Sequence, residues 1–449
     1  MSSLRDGVRY AAYHAALLVA IWLFAIQVYA VAFTASASVA WLALDLAVIA
    51  GTLVVVHRNR EHLGLGSLGE AKLVKLAGLV CVSLACVAAS QWVIVDLDVR
   101  SLDENNYLST LRAGHIVRDG FAPFNMRWLE PVLAGVGVLP VGDADALKAM
   151  NFGALVVTCV YLALLLIRMR VRFSHAAFAP VFLVCSYLGT YAGTNRLVLD
   201  PFNYAMFVVL FHVLLRREHW KYFPWLLLIA AFNSEKAIYW VPVFGAVAWL
   251  DTRRLRDAVV LTLRYGTPTV LYLVTLAFYV RRSQTENGPL FLQNVYFMSF
   301  TWLHPKITNE TVRANNFQIL WFPFGAFTMY TLLGLASCKR ALRPFVLLLI
   351  PVFLQALIGH DTSRMIAYAF IVYLPFGYLY LARALHDLPR IIGRIAFALL
   401  VVLAIAESYL LPLADKLGRT VVGAKFYLSF ADVIVAAAFV ALHLLVYDE

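Results

Sequence analysis

The chain has 449 residues, 62% of them hydrophobic and only 14% charged, against about 25% charged residues in ordinary soluble domains. This composition excludes a water-soluble globular domain, and its long uncharged runs exclude the short alternating strands of a membrane barrel. The formal net charge of +11 does not point to nucleic acid, because the Lys and Arg residues cluster in short segments between apolar runs, the usual topology signal of membrane proteins.

The expected fold is all-α, a polytopic transmembrane helical protein of about 12–14 spans forming one domain over 1–449. Spans are expected at 12–33, 38–56, 73–95, 145–167, 174–192, 201–215, 222–233, 237–250, 260–280, 318–337, 344–359, 365–384, 393–412 and 428–446, each approaching the 20 or so residues that cross a bilayer. The short pair within 222–250 also fits a re-entrant hairpin. The first apolar stretch, from near Tyr10 to Phe33, is too long for a signal-peptide core and reads as a retained helix.

Basic clusters such as Arg58/Arg60, Arg168/Arg170/Arg172, Arg253/Arg254/Arg256 and Lys339/Arg340/Arg343 fall on one side. They place both termini in the cytoplasm. Two longer segments, 96–144 and 281–317, then lie outside. The five cysteines have no metal-ligand spacing and read as small buried apolar residues.

Directly after the third span come Asp96, Asp98, Asp103 and Glu104. Ser101 and Glu104 have the spacing of a capping box, so a helix is expected to start there. Leu108, Leu111 and His115 or Ile116 follow on one face, with Arg112 and Arg118 off it. An amphipathic helix along the membrane surface is expected, ending near Asp119-Gly120. It would hold Asp103 and Glu104 at its positive end, where a carboxylate either meets the helix dipole or takes a proton from an acceptor hydroxyl. An irregular aromatic-rich stretch, 121–131, carries Arg127 back toward the bilayer.

Asp103-Glu104-x-x-Tyr107, the amphipathic stretch, Gly120-x-x-Pro123-Phe124 and Pro131-x-Leu133 together resemble the first outer loop of GT-C glycosyltransferases. These are integral membrane enzymes that use polyprenyl-phosphate sugars. In that superfamily the pattern usually follows the first span; here two further spans precede it. The resemblance covers about 35 residues of motif, and the rest of the chain in helix count and orientation. It implies an extracytoplasmic active site in which Asp103 is the catalytic base, with Glu104 beside it, and Tyr107 and Arg127 near the substrate.

The remaining candidates lie on the same outer side. Asn195-Arg196 and Asp200-Pro201 stand before the sixth span, where Pro201 suits a first helical turn. Asp200 reads as a helix cap or a site residue, and Arg196 as a phosphate or head-group contact. Glu235 and Lys236 interrupt an apolar stretch, where ionisable groups are costly and are functional or paired. Adjacent on a helix, they would point about 100° apart and need not pair with each other. Lys236 is a candidate cation for a donor phosphate. In Gly359-His360-Asp361-Thr-Ser-Arg364, a turn accounts for Gly and Asp but not for His and Arg. Arg364 is the candidate phosphate ligand with Asp361 as its partner.

No cofactor is expected. His304 and His360 do not show the spacing of a metal site. No phosphate-binding glycine loop or dinucleotide fingerprint is present, so a donor must arrive activated and membrane-bound. The expected function is transfer of a sugar from a polyprenyl-phosphate donor to a lipid, glycan or protein acceptor in a bacterial plasma membrane, with inversion at the anomeric carbon and no nucleic-acid partner. A lipid-linked glycan flippase and a polysaccharide polymerase or ligase are the alternatives.

Overall fold

A computed structural model describes residues 2–30, 72–94, 102–116, 127–135, 142–194, 196–279, 323–358, 362–416 and 424–447. Every regular element among them is a helix; there is no strand. Among the described residues, four helices are long and apolar enough to cross a membrane: Val74–Ile94, Asp143–Arg168, Leu255–Tyr279 and Arg390–Tyr409. A fifth span is formed if Phe173–Cys185 and Tyr187–Gly193, bent by 55°, count as one.

The expected run at 174–192 is thus broken at Ser186, whose backbone is extended. The 222–250 stretch is two helices, Phe223–Asn233 and Trp240–Thr252, joined by a 3-10 turn at Glu235–Tyr239. The expected span at 38–56 and the outer segment 281–317 lie outside the described residues.

Exposed faces carry the membrane signature. Leu255, Leu263, Leu271 and Phe278 on one long helix, and Ile391, Ile395 and Val402 on another, are exposed. Contiguous apolar surface of this kind suits a lipid surround and is disfavoured in water. The Asp143–Arg168 helix is instead almost wholly buried.

By packing, the chain divides into two compact units. The first comprises Met1–Leu84, Val99–Tyr161 and Asn195–Val295; the second comprises Ala85–Asp98, Leu162–Thr194 and Tyr296–Glu449. In the second, Phe327–Ser337 packs along Phe370–Asp387, and Arg390–Lys416 along Ala424–Tyr447 and Ala179–Cys185.

In the first unit, Phe223–Asn233 packs between Asp200–Leu214 and Leu255–Tyr279, while Leu102–Ala113 docks on the short helix Leu129–Gly135. The Asp200–Leu214 helix opens with Asp200-Pro201, where the proline lacks only an N–H that has no helical partner. Every one of its residues is buried. The surface helix expected to run to Asp119-Gly120 stops at Ala113. Gly114 takes φ +68°, the left-handed turn that favours glycine, and its N–H donates to Thr110 O at 3.1 Å.

Candidate functional site

The first unit contains a buried polar cluster built from four separate chain segments. The Trp128 backbone N–H donates to Phe232 O at 3.3 Å, and the Trp128 indole donates to Tyr272 Oη at 2.8 Å. This docking sets the chain at 127–130 against the end of the Phe223–Asn233 helix. Arg127 then faces Glu235: Nε donates to Oε2 at 3.1 Å and Nη2 to Oε1 at 2.6 Å, while Nη1 donates to Tyr107 Oη at 3.2 Å. The planar fork of the guanidinium matches a carboxylate in this two-bond arrangement.

The helix break at Ser234 turns Lys236 the other way. Ser234 is extended, and its Oγ accepts from the Lys236 backbone N–H at 3.3 Å. Lys236 Nζ then lies 3.5 Å from Asp200 Oδ1, with side-chain exposures of 0% and 3%. Asp200 is within the first turn of its helix, after the N-cap Leu199. Its partner is a lysine from another helix break.

Asn233 links the two halves. Its Oδ1 accepts from the Glu130 backbone N–H at 3.2 Å. Its Nδ2 is within reach of Asn203 Oδ1 at 3.1 Å, Leu199 O at 3.3 Å and Glu130 Oε2 at 3.5 Å. Glu130 is fully buried, and its Oε1 has no hydrogen-bond partner among the described residues. Burial pushes the Glu130 carboxyl well above the usual carboxylate range; the Asn233 hydrogen bond opposes this and the nearby Asp200 charge adds to it. For Glu235, burial acts upward too, but the Arg127 charge and hydrogen bonds, helped by the Lys236 charge, hold the carboxyl below its ordinary value. Among the described residues, Arg127 and Lys236 thus each face a carboxylate, Glu235 and Asp200.

An apolar cavity of about 570 Å³ lies in the same unit, within the range of small-molecule sites; none of the charged side chains of the cluster lines it. Trp22, Leu133, Val157, Met206, Val209 and Ile229 line it. At one end its walls are Leu129, Phe202 and Phe232, the chain neighbours of Glu130, Asn203 and Asn233. At the other end stand His14, Tyr161 and His212, with His212 Nε2 at 2.8 Å from Tyr161 O. The wall from Phe202 to Val213 follows one helix for about 16 Å. Val19, Leu133, Trp225 and Ile229 line the cavity and are themselves exposed, so it opens at an apolar surface.

Of the residues singled out in the sequence, Tyr107, Arg127, Asp200, Glu235 and Lys236 meet in this cluster. Arg196 is buried in the same unit, and its backbone O accepts from Asn151 Nδ2 at 2.7 Å. Asp103 and Glu104 belong to the Leu102–Ala113 helix, Asp103 one turn before Tyr107, about 6 Å along the axis. Their side chains, like that of Arg364 in the Thr362–Ala367 helix of the second unit, lie outside the described residues, as do His360 and Asp361 entirely. Glu130, Asn203 and Asn233 also belong to the cluster, though the sequence assigned them no role. No group of three or more His, Cys, Asp or Glu among the described residues is arranged to hold a metal ion.

Comparison with known protein families, curated proteins and solved structures finds no match to this chain.

Proposed function

We propose that the chain is a membrane glycosyltransferase of GT-C type, moving a sugar from a polyprenyl-phosphate donor to an acceptor hydroxyl on the extracytoplasmic side. The observation that carries this reading is an apolar cavity whose walls include Leu129, Phe202 and Phe232, the chain neighbours of the cluster residues Glu130, Asn203 and Asn233. A polyprenyl phosphate has the same two parts, an apolar chain and an anionic head. The cavity's opening at an apolar surface would admit such a substrate from the bilayer. Arg127 and Lys236 supply the cations for its phosphate.

In the proposed reaction the acceptor oxygen attacks the anomeric carbon while its proton passes to the Asp103 carboxylate. The bond from that carbon to the phosphate oxygen breaks, and the phosphate leaves with the electron pair. One displacement inverts the anomeric configuration. Asp103 belongs to the helix that also carries Tyr107, the partner of Arg127. The same reading takes the fold as a bundle of about 12–14 spans in a bacterial plasma membrane, both termini cytoplasmic. The acceptor is a lipid, glycan or protein.

The test is turnover of a labelled polyprenyl-phosphate sugar by the purified full chain in detergent. A new glycosidic product is expected, and Asp103→Asn should lower its rate by about 10²–10⁴-fold. Counterflow of the labelled lipid across liposomes without any product would instead identify a flippase and overturn the reading.

A further inference from the structure

Both cations of the cluster are already occupied. Arg127 gives two hydrogen bonds to Glu235, and Lys236 faces Asp200. A phosphate brought to either cation while its carboxylate stays would set two anions side by side in a poorly hydrated site, which is costly. Binding an anion here therefore requires that a carboxylate leave.

The two carboxylates differ in their freedom to do so. Asp200 lies in the first turn of a helix buried along its whole length, against a fully buried lysine. The Glu235 side chain keeps 32% of its surface exposed, and it opens a short 3-10 turn just after the extended residue Ser234. The fork it occupies on Arg127 is also the group best shaped to take two phosphate oxygens.

We infer that Glu235 is a placeholder: it fills the Arg127 fork in the resting protein, and the phosphate of a lipid substrate displaces it. The inference rests on reading the cluster as a phosphate site, but not on sugar transfer. Glu235 is thus a specificity-determining residue. An amphiphile with a neutral head cannot replace it, and an anionic head can.

The probe is dodecyl phosphate, titrated into the detergent-solubilised full chain, with dodecanol and inorganic phosphate run alongside. Glu235→Gln should tighten dodecyl phosphate binding by about tenfold or more, because the competing anion is gone. Dodecanol binding should not change. Arg127→Gln should abolish the tightening when combined with Glu235→Gln. Tighter binding of inorganic phosphate upholds the exchange as well. The lipid-borne source is upheld only if the alkyl phosphate binds at lower concentration than the free ion.

A purely fold-holding pair predicts lower thermal stability for Glu235→Gln with no gain in affinity for either phosphate, and that result overturns the inference. Should Glu235→Gln not fold, Glu235→Asp decides: it keeps the charge but is one methylene too short to fill the fork, and partial tightening is expected. Unchanged or weaker binding in Glu235→Asp overturns the inference equally. Sugar transfer without tightening removes the placeholder and leaves the enzyme. Tightening without transfer does the reverse.

Discussion

Arg127 and Glu235 stand 108 residues apart in the chain and are joined by two hydrogen bonds of 3.1 and 2.6 Å. The two ends of the pair are unequally covered, with side-chain exposures of 7% and 32%. Glu235→Ala strands a buried guanidinium, and such losses cost about 3–5 kcal/mol. Arg127→Ala leaves a carboxylate that reaches water, so its cost should be smaller. Thermal unfolding of both single variants and the double variant checks this. The double variant is expected to lose less than the sum of the singles. Equal costs that simply add would show that the pair contributes nothing as a pair.

Acid should weaken this pair. The Glu235 carboxyl is held below its ordinary value of 4.5, so the folded state binds the proton less well than the unfolded state. Its stabilisation is fully present above that value and is lost as pH falls below it. Melting temperatures followed from about pH 6 to about pH 3 should fall more steeply for the wild type than for Glu235→Gln, which has no proton to gain. Parallel curves would mean that Glu235 titrates like an ordinary exposed carboxylate.

Glu130 should behave in the opposite sense. Its folded-state carboxyl is raised above the ordinary 4.5, so the stabilisation it gives is complete below that value and is lost as pH rises toward the folded-state value. Gln has the shape of the neutral acid. Glu130→Gln is therefore expected to match the wild type below about pH 4.5, to melt at a higher temperature than the wild type as pH rises, and to lack the wild type's decline. Glu130→Ala, which removes a partner of Asn233 and opens a cavity, should cost about 2–4 kcal/mol. If wild type and Glu130→Gln showed parallel stability curves from about pH 4.5 upward, the Glu130 carboxyl would be titrating alike in the folded and unfolded chain.

These two carboxylates show what sequence can carry. Glu235 and Lys236 stand out because charges inside an apolar run are expensive and so must be paired or functional. Glu130 gives no such signal: in sequence it follows an aromatic stretch that reads as irregular and precedes Pro131, whereas the structure has it in the first turn of a short helix set against Asn233. Asn203 and Asn233 are uncharged, and their bridging follows from helix packing alone. That Lys236 pairs with Asp200 and Glu235 with Arg127 depends on the extended turn at Ser234, which composition does not encode. The helical class followed directly from hydropathy, but hydropathy does not resolve helix ends within an apolar run. Gly114 ends one helix five residues before the expected Asp119 stop, and Ser186 breaks another.

In the second unit, Gly334 packs against the neighbouring backbone. A Cβ at Gly334 would overlap the Phe376 carbonyl oxygen, and the Thr331 hydroxyl already joins these helices through Tyr373 O at 2.8 Å. Small residues permit such close helix approach in membranes. Gly334→Ala should destabilise by about 1–3 kcal/mol, because the obstructing atom is backbone and cannot rotate away. Gly78→Ala is the control: nothing lies within 4 Å of its Cβ position, and helix propensity favours alanine there by about 0.8–1 kcal/mol. Unfolding of the pair in one detergent measures the contrast, and equal effects would rule out close packing at Gly334.

The cavity itself can be closed from inside. Ala205 lines it on the same helix as Asn203, so Ala205→Phe places a ring in space otherwise available to a lipid chain, about one turn from the polar cluster. If the cavity holds the donor chain, KM for a long-chain polyprenyl-phosphate sugar should rise by about tenfold or more, while kcat changes little, because chain binding is shared by ground and transition states. A donor with a short alkyl chain should lose far less. Filling empty apolar volume should leave the melting temperature equal or higher, which separates blocked binding from damaged folding. An unchanged KM for the long-chain donor, at wild-type stability, would place the lipid chain elsewhere on the protein and remove the cavity from the proposed function.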